Sequence, residues 1–162
     1  VAVALIGSSS WETSVASAGV ELRAAMRADL DFASAALEAS MREFVEAAYG
    51  AWNAAEQRVL FARSFDLASH RIVRCDGADA GVLAVEPRVH CLYLARLFLL
   101  PRFQRRGIGT RIVRALLESA RARPCPLELS VLRTNPAAFR FYELLGFRVV
   151  GETPTHWLLE AE

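Results

Sequence analysis

The sequence predicts an α+β domain, a mixed α/β sheet with helices packed on it, from three observations. Apolar residues recur at helical spacing through Leu37–Phe65. After Asp66 the pattern turns to short β-rich runs. The apolar run Leu92–Leu100 then passes through a glycine-bearing turn directly into an amphipathic stretch, Arg111–Arg121.

Taken in order, Val20-Glu21-Leu22-Arg23-Ala24 alternates as a half-buried strand does, and Asp29 or Asp31 can cap the helix that follows. Leu37, Met41, Phe44, Val45 and Ala48 form one helical face, with Gly50 as its stop. Trp52–Phe65 reads as a second helix, with Trp52, Glu56, Val59 and Leu60 spaced by three or four. His70–Asp76 and Ala80–Glu86 are strands joined through Asp76-Gly77, a hairpin signal. Cys91–Leu100 is almost unbroken apolar, as a strand covered on both faces should be. In the next helix Ile112, Val113, Leu116, Leu117 and Ala120 face inward, while Arg114 and Glu118 pair at i,i+4 on the wet side. Pro124-Cys125-Pro126 ends that helix and leads to the strand Leu127–Leu132. Asn135 is an N-cap, Pro136 sits in the first turn and Gly146 takes the left-handed C′ position. Phe147–Gly151 and Thr155–Leu159 close the chain as two strands around Pro154.

Gln104-Arg105-Arg106-Gly107-Ile108-Gly109-Thr110 lies at the strand-to-helix junction. Several N–H groups, the positive end of a helix dipole and two arginines meet there, which makes an anion site suited to phosphates. The spacing is neither Walker A nor the dinucleotide fingerprint. Gln-x-x-Gly-x-Gly in this setting resembles the acetyl-CoA pyrophosphate loop of the GNAT N-acetyltransferase superfamily. A second block, Asn135–Phe147, resembles the Asn-x-x-Ala-x-x-x-Tyr-x-x-x-Gly-Phe segment of the same family. The likeness spans roughly Val20–Leu159, with its sharp motifs confined to Leu97–Phe147.

The resemblance implies a GNAT-like single domain: a central, mostly antiparallel sheet flanked by helices, with a splayed strand pair forming the acyl-CoA cleft. It implies direct transfer of an acetyl group from acetyl-CoA to a primary amine. The main chain of Leu97, Phe98 and Leu99 would pair with the pantetheine arm, and an N–H of Leu97 or Phe98 would polarise the thioester carbonyl. Arg105, Arg106, Gly107, Ile108, Gly109 and Thr110 would hold the pyrophosphate, and Asn135 and Ala138 would meet the arm. Tyr142 matches the family tyrosine that protonates the leaving thiolate, as a general acid. Periodicity alone would read Tyr142 as packing beside Phe139, Phe141 and Phe147. The base stays open: Leu92–Leu100 contains no Asp or Glu. Glu86 and Glu128 are candidates, Glu56 and His90 weaker ones, and ordered water is an alternative. The competing class is a non-catalytic CoA-binding or interaction module that keeps the fold.

The whole chain narrows the field further. Its 162 residues are one domain's worth, and an apolar fraction of 54% suits a folded core. Val1–Gly19, rich in Ala, Ser and Gly, reads as a flexible tail ahead of a domain at 20–162. A net charge of +1 argues against nucleic acid and anionic membrane as partners. No apolar stretch is long enough to span a bilayer. Cys75, Cys91 and Cys125 have no pair spacing, so reduced thiols in a cytoplasmic protein are expected, with no metal site. All basic residues of the Lys+Arg count are arginine, so the chain has no lysine of its own to acetylate. The acceptor is not readable: small amine, peptide N-terminus and protein lysine all remain. The apolar edge Phe147–Leu159 and family habit suggest a homodimer.

Overall fold

The structure, a computed structural model, describes residues 10–162. Among them seven strands form one sheet: β1 (Glu21–Ala24), β2 (His70–Cys75), β3 (Ala78–Pro87), β4 (Leu92–Leu99), β5 (Leu127–Leu132), β6 (Arg148–Glu152) and β7 (His156–Ala161). Their order is β1-β2-β3-β4-β5-β7-β6. The pairs are antiparallel except β4–β5, which is parallel. A parallel neighbour requires a crossover, and the amphipathic Ile108–Ala122 helix supplies it.

Among the described residues five α-helices flank the sheet: α1 (Ser10–Ser17), α2 (Leu30–Tyr49), α3 (Ala54–Ser64), α4 (Ile108–Ala122) and α5 (Pro136–Leu144). One face carries the larger core. There Ile112, Val113 and Leu116 of α4 pack with Leu92 and Leu94 of β4 and Leu127, Leu129 and Val131 of β5. Each such side chain, fully buried, contributes about 1.5–3 kcal/mol. The other face holds a smaller core, where Ala33 and Ala36 of α2 and Phe61 of α3 meet Ile72 and Val82. No helix among the described residues is long and apolar enough to cross a membrane.

The capping chemistry is local. Asn53 and Asn135 accept hydrogen bonds from Glu56 N and Ala138 N at the starts of α3 and α5. Asp76 and Gly77 both take positive φ, as the tight β2–β3 turn requires. Asp29 precedes α2 but does not cap it with its side chain. It instead receives both Arg23 Nη atoms at 2.8 Å.

The tail expected over Val1–Gly19 needs correction where it can be seen. Residues 1–9 lie outside the described residues, but Ser10–Ser17 is the helix α1. Trp11 and Val15, four apart on one face, are buried. The helix packs on α4, Arg71 lies over the Trp11 ring, and the same Arg71 bonds Glu12. Its small Ala and Ser residues have the composition of a linker, yet they also let a helix approach closely around one aromatic anchor.

Candidate active site

The pairing of β4 with β5 stops early. Leu92, Tyr93 and Leu94 face Leu127, Glu128 and Leu129, and beyond them the two strands part. Over the same length β4 remains paired to β3, from Arg96 opposite Ala84 to Leu99 opposite Gly81. The register slips between Ala84 and Val85, leaving Ala95 as an extra residue at the point of divergence. A bulge of this kind bends its strand, so β4 turns away from β5 and one edge of it is left without a partner strand.

Which main-chain groups line that edge follows from one bond. Leu100 donates to the Ala80 carbonyl of β3. By the two-residue period Phe98 also turns to β3, whereas Leu97 and Leu99 turn their N–H and C=O groups into the gap. Phe98, expected as an alternative to Leu97, therefore presents its side chain to the α2 core but not its amide to the cleft. The Leu99 carbonyl is already taken, by Gln104 Nε2 at 2.8 Å and Ser40 Oγ at 2.9 Å. The Leu97 amide and carbonyl and the Leu99 amide remain.

The close approach of β3 at this place depends on Gly81. A Cβ there would lie 2.0 Å from the Phe98 carbonyl oxygen, far inside contact distance.

The loop after β4 presents the exposed Arg105, Arg106 and Gly107 ahead of the buried Ile108. Gly107 has φ 77° and caps α4 with no side chain, so the first N–H groups of the helix stay open. A Cβ at Gly109 would lie 3.6 Å from the Phe141 ring and 3.9 Å from the Leu99 side chain, ordinary contact distances. Arg106 does not point its guanidinium freely at the loop. It pairs with Asp76 at 2.7 Å, and this contact holds the Asp76 carboxyl below its ordinary range. Arg105 is the loop arginine with no ion pair among the described residues, and its φ is 57°.

Tyr142 stands on α5 with its ring in the larger core, edge-on to Phe141 at 5.0 Å and to Phe147 at 5.4 Å. Burial pushes its phenol far above the ordinary value. Its hydroxyl makes no hydrogen bond to another described residue. Asn135 is buried with Oδ1 committed to Ala138 N, so Ala138 contributes a half-buried methyl and no free amide. Glu86 is half-exposed and paired to Arg88 at 2.8 Å. Glu128 has no basic partner among the described residues; the buried Cys91 thiol, raised to about 11 by burial first and Glu128 second, is its neighbour. Glu56 and His90 lie apart, on α3 and in the β3–β4 turn. Among the described residues no group of three or more His, Cys, Asp or Glu is placed to hold a metal ion.

Sequence reasoning passed over three features. α2 roofs the gap: Ser40 reaches Leu99 at the end of β4, and Thr134 after β5 donates to the Phe44 carbonyl at 2.7 Å. Tyr93 and Ser130 meet across the gap's apex at 3.1 Å. For Ser40, Tyr93 and Ser130 the advance signal was a polar residue inside an apolar strand or helix, and Thr134 lies in the turn after β5. A concavity of about 810 Å³ lies at the β1 edge around Val20, Arg23 and Arg71. It is remote from the splayed strands, whose open V is the chemically equipped feature.

The profile of the Acetyltransferase (GNAT) family matches residues 37–147. The chain belongs to this family. No curated protein matches its sequence. Among solved structures, the PaiA N-acetyltransferase of Thermoplasma acidophilum in complex with coenzyme A is similar at 18% identity and TM-score 0.65, over 88% of this chain and 98% of that one. The ribosomal-protein-S18-alanine N-acetyltransferase of Escherichia coli is similar at 18% and 0.64, over 87% and 92%. Naa50 of Arabidopsis thaliana, in complex with the bisubstrate analogue CoA-Ac-MVNAL, is similar at 15% and 0.58, over 88% and 98%. At these identities the likeness is one of fold. This GNAT chain has the mixed sheet and flanking helices expected of it.

Proposed function

We propose that this GNAT protein is an acetyl-CoA-dependent N-acetyltransferase acting on a primary amine. The observation that carries the reading is the unpaired edge of β4 leading from the bulge at Ala95 to the uncapped start of α4. The Leu97 and Leu99 groups offer an extended amide-bearing arm the hydrogen bonds of a missing strand. At the wide end, N–H groups of Arg105 to Thr110 and the α4 dipole receive the pyrophosphate, with Arg105 adding charge. Phosphates also compete with Asp76 for Arg106.

The Leu97 N–H polarises the acyl carbonyl where it develops negative charge. Tyr142 faces the leaving sulfur from the α5 side. Its buried phenol stays protonated across the neutral range, so it stabilises a departing thiolate by hydrogen bonding and proton donation. Of the two candidate bases, Glu128 suits the task better than Glu86, which Arg88 already neutralises. Holding both substrates is the largest single contribution, at about 7–11 kcal/mol at best.

Calorimetric titration with acetyl-CoA, free CoA and ATP tests the donor site. A saturable 1:1 isotherm, with ATP clearly weaker, is expected. At a concentration about 100 times its Kd the ligand adds roughly 2.7 kcal/mol of stability. Absence of both heat and stabilisation would reject the reading in favour of a fold kept for another purpose.

A further inference from the structure

One side chain spans the sheet at the bend that opens the cleft. His70, Ala84 and Arg96 stand in a single row across β2, β3 and β4, each the register partner of the next. Side chains in such a row share a face of the sheet. Here it is the face that α3 covers, and the Ala84 methyl leaves the path along it clear. Arg96 lies across β3 and reaches His70, two strand spacings or about 9–10 Å away. Its Nη1 donates to His70 Nε2 at 2.9 Å and to the Ser64 carbonyl at 3.3 Å, and its Nη2 donates to Ser64 Oγ at 2.7 Å. The guanidinium carbon sits 4.8 Å over the Phe61 ring. None of these contacts is a carboxylate, so charge pairing does not account for this arginine's place. The far end of the strut is itself fixed, because His70 is 2% exposed and its Nδ1 lies 2.8 Å from the Asp66 carbonyl.

The near end is the residue that follows the bulge. Past Leu94, β4 has no partner on its β5 side, and the extra Ala95 interrupts its ladder to β3 at the same place. The ladder alone then fixes the next peptide weakly. That peptide joins Arg96 to Leu97. By the alternation that Leu100 sets, it turns its carbonyl to β3 and its N–H into the gap.

We propose that Arg96 is a positioning residue of the acyl site. Anchored through His70 and Ser64, it sets the tilt of the Arg96–Leu97 peptide and so aims the Leu97 N–H at the acyl carbonyl oxygen. The inference rests on the acetyltransferase reading, which assigns that N–H to the carbonyl, and adds what holds the donor still. A donor helps the developing charge most when its direction is set beforehand, because turning it during the reaction costs part of what it contributes. Arg96 touches neither substrate in this role; it acts through the backbone. His70 and Ser64 act through Arg96.

The test uses the full chain with acetyl-CoA and requires no acceptor. Infrared difference spectroscopy reads the thioester carbonyl stretch of the bound ligand, isolated by isotopic labelling of that carbon. Calorimetry measures Kd for acetyl-CoA and for free CoA alongside. In the wild-type protein the stretch should move to lower frequency than in solution, as a carbonyl does on accepting an aimed N–H. Arg96→Met keeps an apolar stem but loses the guanidinium, and most of that shift should disappear. Its Kd for free CoA, which has no acyl carbonyl, should match the wild type. Ser64→Ala, at the exposed end of α3, should lose a smaller part of the shift. If Arg96→Met shows no cooperative melt, Ser64→Ala decides, and an unchanged stretch in it would overturn the role. Failure of the wild type to bind acetyl-CoA would instead overturn the acetyltransferase reading itself. Given binding, an unshifted stretch in the wild type, or a shift that survives in Arg96→Met, would overturn the positioning role alone. Equal losses of affinity for CoA and acetyl-CoA would do the same, since they mark a generally disturbed fold.

Discussion

At Tyr142 the core and the proposed chemistry draw on one side chain. Its ring belongs to the larger core, and its oxygen is the group assigned to the departing sulfur. Tyr142→Phe keeps the ring and deletes the oxygen, so the fold should persist. Transfer should drop by about 10²–10⁴-fold, the usual worth of a general acid, with acetyl-CoA affinity unchanged by calorimetry. Gly81 is the opposite case, a residue with no chemistry whose absence of a side chain is essential. Gly81→Ala would force its methyl against the Phe98 carbonyl 2.0 Å away. A loss of about 1–3 kcal/mol is expected by urea unfolding, as for overpacked sites, together with weaker acetyl-CoA binding because the β4 edge must shift.

Among the elements, α1 and α5 are each positioned by a few identifiable residues. The helix α1 is anchored by Trp11 and Val15. Trp11→Ala should cost about 3–5 kcal/mol in denaturant unfolding if the helix is an integral layer of the domain. A loss within experimental error would mean that α1 adds nothing to the cooperative unit. α5 begins at Asn135, and its direction sets where Tyr142 stands. Asn135→Ala removes the cap bond to Ala138 N at 3.0 Å and should cost about 1 kcal/mol. Because the cap also fixes the start of the helix, kcat should fall alongside stability, which a thermal melt and a rate assay together would show. Restoration of both by Asn135→Asp, another good cap, would attribute the effect to capping.

Across the whole molecule, stability should depend on pH through its buried histidine. His70 ties the α3–β2 junction to the centre of the sheet. Its Nδ1 lies 2.8 Å from the Asp66 carbonyl and Nε2 accepts from Arg96 at 2.9 Å, which requires the neutral ring. Burial, and then Arg96, hold its pKa below the ordinary 6.5. The unfolded chain therefore binds a proton that the folded one refuses. The contribution is complete above about pH 6.5 and declines as pH falls from there toward the depressed folded value. His156, lowered by burial, acts with the same sign. Urea midpoints should fall between pH 7.5 and 5.5, and His70→Gln should reduce that fall. An unchanged slope in the variant would exclude His70 as its source.

Helices α2 to α5, the hairpin and the α5 cap were legible because each rests on contacts within a few residues: Asp76-Gly77 in its turn and Asn135 with Ala138. The two family blocks were legible for the same reason, being contiguous in sequence. Local signals could not show that Ser10–Ser17 is a packed helix, because the surface that covers Trp11 lies about a hundred residues away on α4. Nor could they show that Phe98 turns its amide from the cleft, which depends on register against β3. The expected pair of loop arginines became one unpaired arginine because Asp76, distant in sequence, reaches Arg106. By itself the sequence determined the elements after α1, their order and the glycine-bearing turn ahead of α4, since periodicity and capping act over one or two turns. Only the tertiary structure decided where β4 leaves β5 and which side chains meet at that apex, because strand register couples residues whose separation along the chain carries no local signal.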